Sequence, residues 1–132
     1  MRLFAAAALL LGLTACGSDA EPADEPTTAE LQQQVCVEVR KGIDAFNASD
    51  YAETVRHFAK AKKPAKVKAQ IDPEPEADAL LDAVEYYANL DPADYPEAAR
   101  TSEHFARNKA ITLGQCTDGT PLDQSDDDGV LT

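Results

Sequence analysis

Apolar residues recur every three or four positions in four separate stretches of the chain, which is typical of amphipathic helices. Thr27 and Glu30 form a capping-box pattern before the first stretch, so a helix is predicted to begin at Thr27 or Thr28. The segment Asn47-Ala48-Ser49 is predicted to end it. The apolar stripe of this helix consists of Leu31, Val35, Cys36, Val39, Ile43 and Phe46.

The second predicted helix begins at Asp50 and meets a proline in its interior. Pro64 lacks an amide donor and clashes with the preceding turn, so we expect the helix to break near Lys63. Apolar and polar residues alternate over 67–71, which leaves a strand as a minor alternative there.

Prolines and acids mark the starts of the last two predicted helices. Asp72 is the expected cap of the third helix, with Pro73 in its first turn. The fourth is expected to follow Asp94 or Tyr95 and to end at a glycine cap, Gly114. The stripe of the third helix consists of Ala77, Leu80, Leu81, Val84, Tyr87 and Ala88.

Four helices with short connections predict an all-α fold, an up-down four-helix bundle over residues 29–116. The bundle is small and rich in alanine, so its core is expected to be thin. Acidic segments flank it: residues 16–28 are predicted to form a disordered tether and residues 117–132 a disordered tail.

Residues 1–15 have the features of a secretory signal peptide. Arg2 precedes an uncharged apolar run from Leu3 to Leu13, which is shorter than the roughly 20 residues of a membrane-spanning helix. Leu13-Thr14-Ala15-Cys16 resembles the lipobox of bacterial lipoproteins. That resemblance implies a diacylglyceryl group on the Cys16 thiol and cleavage after Ala15. The alternative is an ordinary signal peptide with a chance cysteine.

Charge excludes some partners of the exported chain. Removal of Arg2 with the signal peptide changes the formal net charge from −12 to −13. Such a chain is not expected to bind nucleic acid, and anionic lipid head groups should repel it as a whole. The acyl chains at Cys16 are therefore expected to supply the attachment to the membrane.

The chain has three cysteines, and lipidation of Cys16 leaves two. Disulfides persist outside the cytoplasm, so Cys36 and Cys116 are predicted to form one. An up-down bundle would place both at the same end. A metal site at these two cysteines is the alternative, but no histidine lies nearby at ligand spacing.

Positive charge is concentrated in one segment. Within thirteen residues the chain has no acid and half of its basic residues: Arg56, Lys60, Lys62, Lys63, Lys66 and Lys68. From Asp72 to Glu97 there are nine acids and no basic residue. One hypothesis is a site for an anionic partner. The other is a solvated segment whose lysines pair with the acidic third helix of the same domain.

Candidate catalytic and cofactor chemistry is sparse. No nucleophile–base motif, phosphate-binding glycine loop or metal-binding helix pair is present, so we expect no enzyme and no resident cofactor besides the lipid. His57 and His104 are weak candidates for haem ligands, since no haem-attachment motif accompanies them. Side chains at the surface or the bundle edge are the simpler interpretation.

Together these features predict a lipid-anchored helical binding or accessory module on the extracytoplasmic side of a bacterial cell membrane. Its expected partner is an envelope protein or an anionic envelope polymer. The alternative function is a surface carrier of a small ligand, with haem as the clearest case. The acidic, alanine-rich composition resembles that of actinobacterial lipoproteins.

Overall fold

The computed structural model describes residues 24–117, and every element in that range is helical. The predicted all-α class is confirmed, and the strand alternative for residues 67–71 is wrong. The signal peptide, Cys16, most of the tether and all but the first residue of the tail lie outside the described residues. No helix between residues 24 and 117 is long and apolar enough to cross a membrane. The elements are α1 (Thr28–Asn47), α2 (Tyr51–Ile71), α3 (Pro75–Asn89), a 3-10 turn (Pro92–Asp94), α4 (Tyr95–Thr101) and α5 (Glu103–Cys116).

The predicted boundaries of α1 and the start of α2 are confirmed, because local hydrogen bonds determine them. The Glu30 amide donates to Thr27 Oγ1 at 3.2 Å, and the Thr27 amide donates to Glu30 Oε2 at 2.7 Å. This reciprocal pair is the capping box. After a turn in which Ser49 adopts a positive φ of 60°, Asp50 Oδ1 accepts from the Glu53 amide and caps α2.

The predicted break at Pro64 is wrong, because α2 continues through it to Ile71. Ala61, Ala65 and Ala69 extend the buried face on both sides of the proline. Packing of this face outweighs the hydrogen bond that Pro64 cannot make. The carbonyl of Lys60 loses its usual donor, and Lys60 and Pro64 line an open groove.

The third helix begins later than predicted. Asp72 is the C-terminal cap of α2, and α3 begins at Pro75 with Glu74 as its N-cap residue. Proline disfavours helical geometry in the residue before it, so a helix that began at Pro73 would strain Glu74. Pro75 therefore determines where α3 begins.

The predicted fourth helix is two helices, so the four-helix count is not confirmed. Ser102 has an extended backbone (φ −90°, ψ 120°) between α4 and α5, and its Oγ accepts from the Phe105 amide at 3.2 Å. The predicted cap at Gly114 is also wrong, because α5 continues to Cys116. The last turn is held there by the disulfide and by Arg40 Nε, which donates to the Cys116 carbonyl at 2.8 Å.

The longer helices pack into a bundle-like fold. α1 contacts α2, α2 contacts α3, α3 contacts α5, and α5 contacts α1. α1 and α2 run antiparallel, since Phe46 lies against Tyr51 whereas Gly42 lies against Phe58. Gly42 has no Cβ, so the Phe58 ring of α2 can pack directly against the α1 backbone.

A disulfide joins α1 to the end of α5, as predicted. Cys36 and Cys116 have Cα atoms 4.9 Å apart, and both residues are buried. Gln32 Nε2 donates to the Gln115 carbonyl at 3.2 Å beside the bridge. The disulfide therefore lies within a packed junction of the two helices.

Candidate functional site

Four of the six clustered basic residues share one exposed side of α2. Arg56, Lys60, Lys63 and Lys66 follow each other at intervals of four, three and three residues, which places them along one side of a helix. All four are exposed. We call them the cationic face of α2. Lys62 and Lys68 are half-buried on the flanks of the helix, so the segment divides into a face of four and two flanking lysines.

The lysines of this face make no ion pair within residues 24–117, although the charge of Lys60 acts on Glu38 across the groove. Among the described residues, the one ion pair of the face joins Arg56 to Glu53, one turn earlier in the same helix. The hypothesis that the lysines pair with the acidic residues of α3 is therefore not supported by the geometry. Neither Lys62 nor Lys68 makes an ion pair with a described residue either.

A groove of about 630 Å³ runs beside the cationic face, between α1 and α2. Lys60 and Pro64 line it from α2, and Val37 and Glu38 line it from α1. The polypeptide that leads into α1 lies there too, since Asp24 and Pro26 contribute to the same groove. The groove is open to solvent along its length, so it is a surface feature and not an enclosed binding cavity.

A histidine between two carboxylates connects α1 and α2 below the groove. His57 Nδ1 lies 2.7 Å from Glu38 Oε2, and its Nε2 lies 3.6 Å from Glu53 Oε2. The hydrogen bond with His57 lowers the pKa of Glu38, and the charges of Lys41 and Lys60 act in the same direction. Glu38 is therefore an anion at neutral pH, and it holds His57 through the hydrogen bond at Nδ1.

The two haem-ligand candidates do not form a common site. His57 is half-buried and bonded to Glu38, whereas His104 is exposed in the first turn of α5. Among residues 24–117, no three His, Cys, Asp or Glu side chains are arranged to hold a metal ion. The small space among the core aromatic rings, which Phe46 and Phe58 help to line, does not admit even a water-sized molecule. Haem carriage remains a prediction.

Two buried tyrosines, Tyr87 and Tyr95, serve the core. Tyr95 Oη donates to the Tyr87 carbonyl at 2.6 Å, and Tyr87 Oη donates to the Phe105 carbonyl at 2.9 Å. The Tyr87 carbonyl belongs to the last turn of α3, where helix carbonyls lack intrahelical donors. Burial raises the pKa of both hydroxyls well above the usual range.

Sequence reasoning missed two exposed apolar residues near the cationic face. Val37 keeps 39% of its surface accessible and Ile71 keeps 51%, and they are the exposed large hydrophobic residues among those described. The helical period could have revealed them, because Val37 lies off the buried stripe of α1 and Ile71 lies off the buried stripe of α2.

No protein-family model matches this chain, and no curated protein or solved structure matches it significantly. The function must therefore be inferred from the residues and their arrangement.

Proposed function

We propose that this protein is a lipid-anchored, non-enzymatic binding or accessory module on the extracytoplasmic side of a bacterial cell membrane. In this proposal residues 1–15 are a signal peptide, and Cys16 carries the diacylglyceryl anchor. The helical domain contacts an anionic component of the envelope through the cationic face of α2. The lipid at Cys16 is the only group that the proposal requires beyond the polypeptide.

The observation that carries the proposal is the lack of ion pairs for the three lysines of the cationic face. Like charges in a row repel each other, and in an acidic domain a cation that served only the fold would be expected to contact one of the many carboxylates. Lys60, Lys63 and Lys66 instead project from α2 without an ion pair to any described residue. Exposed clusters of this kind steer and hold anionic partners.

The anchor is tested first, by the intact mass of the mature amino terminus. The lipobox resemblance predicts a lipid-modified Cys16 as the first residue. Cys16→Ala should leave a chain that is uncleaved or released from the membrane. An unmodified thiol at Cys16 in the wild-type protein would contradict the anchor.

The binding role is tested by crosslinking in intact membranes followed by recovery of the protein. The variant Lys60→Gln/Lys63→Gln/Lys66→Gln should lose the crosslinked envelope component. The matched control Arg100→Gln/Arg107→Gln/Lys109→Gln removes the same charge from α4 and α5 and should retain it. Equal recovery by the wild type and both variants would show that the cationic face is not the binding site.

A further inference from the structure

The two exposed apolar residues adjoin the cationic face. Ile71 follows Lys60 by eleven residues, which is close to three full helical turns, so both lie on nearly the same line of α2. Val37 lies across the groove from Lys60 and Pro64. One side of the domain therefore combines exposed cations with the exposed large hydrophobic residues.

The polypeptide from the proposed anchor enters the domain at this same side. Asp24 and Pro26 line the groove together with Lys60. Eight peptide units separate Cys16 from Asp24, and they span about 28 Å when fully extended and about 16 Å as a flexible chain. An anchor at Cys16 thus keeps the cationic face within a short distance of the lipid surface.

We propose that the cationic face of α2, with Val37 and Ile71 beside it, lies against the anionic surface of the bilayer that holds the anchor. The proposal rests on the anchorage proposed above and names the partner of the same site. Basic side chains next to exposed apolar ones are typical of helices that lie at a membrane interface.

The net charge of the domain does not prevent this orientation. Composition predicts repulsion between the whole chain and anionic lipid, but screening limits charge effects to about 8 Å at physiological ionic strength. On the side that faces the lipid, Arg56, Lys60, Lys63 and Lys66 are exposed on α2, and the acids of that side, Asp24, Glu30 and Glu38, line the groove beside them. The exposed acids Glu76, Asp78 and Asp82 belong to α3, a different helix.

A folded acidic protein fits this side less well. Stable protein interfaces depend on buried aromatic or arginine side chains at their centre. The cationic face has one arginine, already paired with Glu53, and between its charges lies the small residue Ala59. A bilayer needs no such anchoring pocket, and it accommodates Val37 and Ile71.

The test uses the full mature chain with its lipid anchor and disulfide, and a nitroxide attached at Ala59→Cys on α2. A second preparation carries the nitroxide at Ala106→Cys, an exposed position on α5. Each is reconstituted into vesicles of phosphatidylcholine alone and into vesicles that also contain phosphatidylglycerol. Collisions with a water-soluble nickel chelate then report how accessible each position is.

We expect phosphatidylglycerol to shield the label at Ala59→Cys and to leave the label at Ala106→Cys accessible. Each cation that is removed should reduce the preference for this orientation about fivefold, so Lys60→Gln/Lys63→Gln/Lys66→Gln should reduce it about a hundredfold. The control Arg100→Gln/Arg107→Gln/Lys109→Gln should keep the shielding, and high salt should weaken it.

Equal accessibility of the Ala59→Cys label in both kinds of vesicle would overturn the membrane contact, as would shielding that survives the triple lysine variant. If the lysines are needed to recover a crosslinked protein or polymer while the label stays accessible, the contact fails and the binding module stands. A mature chain with an unmodified Cys16 thiol would overturn both.

Discussion

The two ends of the bundle are held together by different means. At one end, rings from α1, α2, α3, α4 and α5 interlock with centroids 4.8–6.4 Å apart. The buried hydroxyls of Tyr87 and Tyr95 connect backbone carbonyls of two helices there. At the other end the buried residues of α2 are Ala61, Ala65 and Ala69, which cover little area. The Cys36–Cys116 disulfide lies toward that end.

This difference shows how a small alanine-rich domain can be stable at all. Large side chains contribute roughly 1.5–3 kcal/mol each when buried, and alanines contribute much less. The disulfide lowers the conformational entropy of the unfolded chain, and this stabilisation compensates for the contacts that alanines cannot make. Lys60, Lys63 and Lys66 of the cationic face lie on the outside of the part of α2 whose buried residues are alanines.

Reduction of the disulfide should have the largest effect on the stability of the domain, because it removes the link at the alanine-rich end. The bridge spans 80 residues of sequence, so opening it is expected to lower the free energy of unfolding by about 4 kcal/mol. Urea unfolding with and without a reductant measures the change. A loss below about 1 kcal/mol would mean that the alanine-rich end holds together without its bridge.

High pH should weaken the aromatic end. The pKa values of Tyr87 and Tyr95 are raised in the folded protein, so their contribution is intact below the unfolded value near 10 and is lost as pH rises above it. One unit above that value, the two groups together should reduce the free energy of unfolding by about 3 kcal/mol. Urea unfolding at neutral pH and at one unit above the unfolded pKa measures this loss.

The matched variant for this test is Tyr95→Phe, which removes one of the two groups. It should halve the pH-dependent loss. An unchanged loss in Tyr95→Phe would assign the alkaline sensitivity to other groups.

A pair of glycine substitutions should separate tight packing from open surface. A Cβ at Gly42 would lie 2.8 Å from the buried Phe58 ring, whereas a Cβ at Gly114 has no neighbour within 4 Å. Gly42→Ala should destabilise the fold by about 1–2 kcal/mol, because overpacking exceeds the gain in helix propensity. Gly114→Ala should stabilise it by about 0.5–1 kcal/mol. Thermal unfolding of both variants checks the sign, and the same sign for both would contradict the packing argument.

Features that depend on neighbouring residues could be read from the sequence. Thr27 with Glu30 and Asp50 with Glu53 specify helix starts through local hydrogen bonds, and both starts are confirmed. The pairing of Cys36 with Cys116 followed from counting and from helix order.

Features that depend on tertiary packing could not be read from the sequence. Pro64 predicts a break, but the packing of α2 overrides it. Ser102 has the local chemistry of a helix cap, yet nothing in the apolar pattern separates α4 from α5 there. The basic cluster is evident in the sequence. Its division into four exposed and two half-buried residues follows only from the way α2 packs against its neighbours.

The smallest expected effect tests the central claim, that the cationic face does not serve the fold. The measurement is the free energy of urea unfolding of the wild type and of Lys60→Gln/Lys63→Gln/Lys66→Gln, at low and at high salt. We predict a difference within about 0.5 kcal/mol at both salt concentrations, because exposed side chains without partners contribute little to stability. A loss above about 1.5 kcal/mol at low salt that high salt removes would show that these lysines stabilise the domain electrostatically, and would contradict the claim.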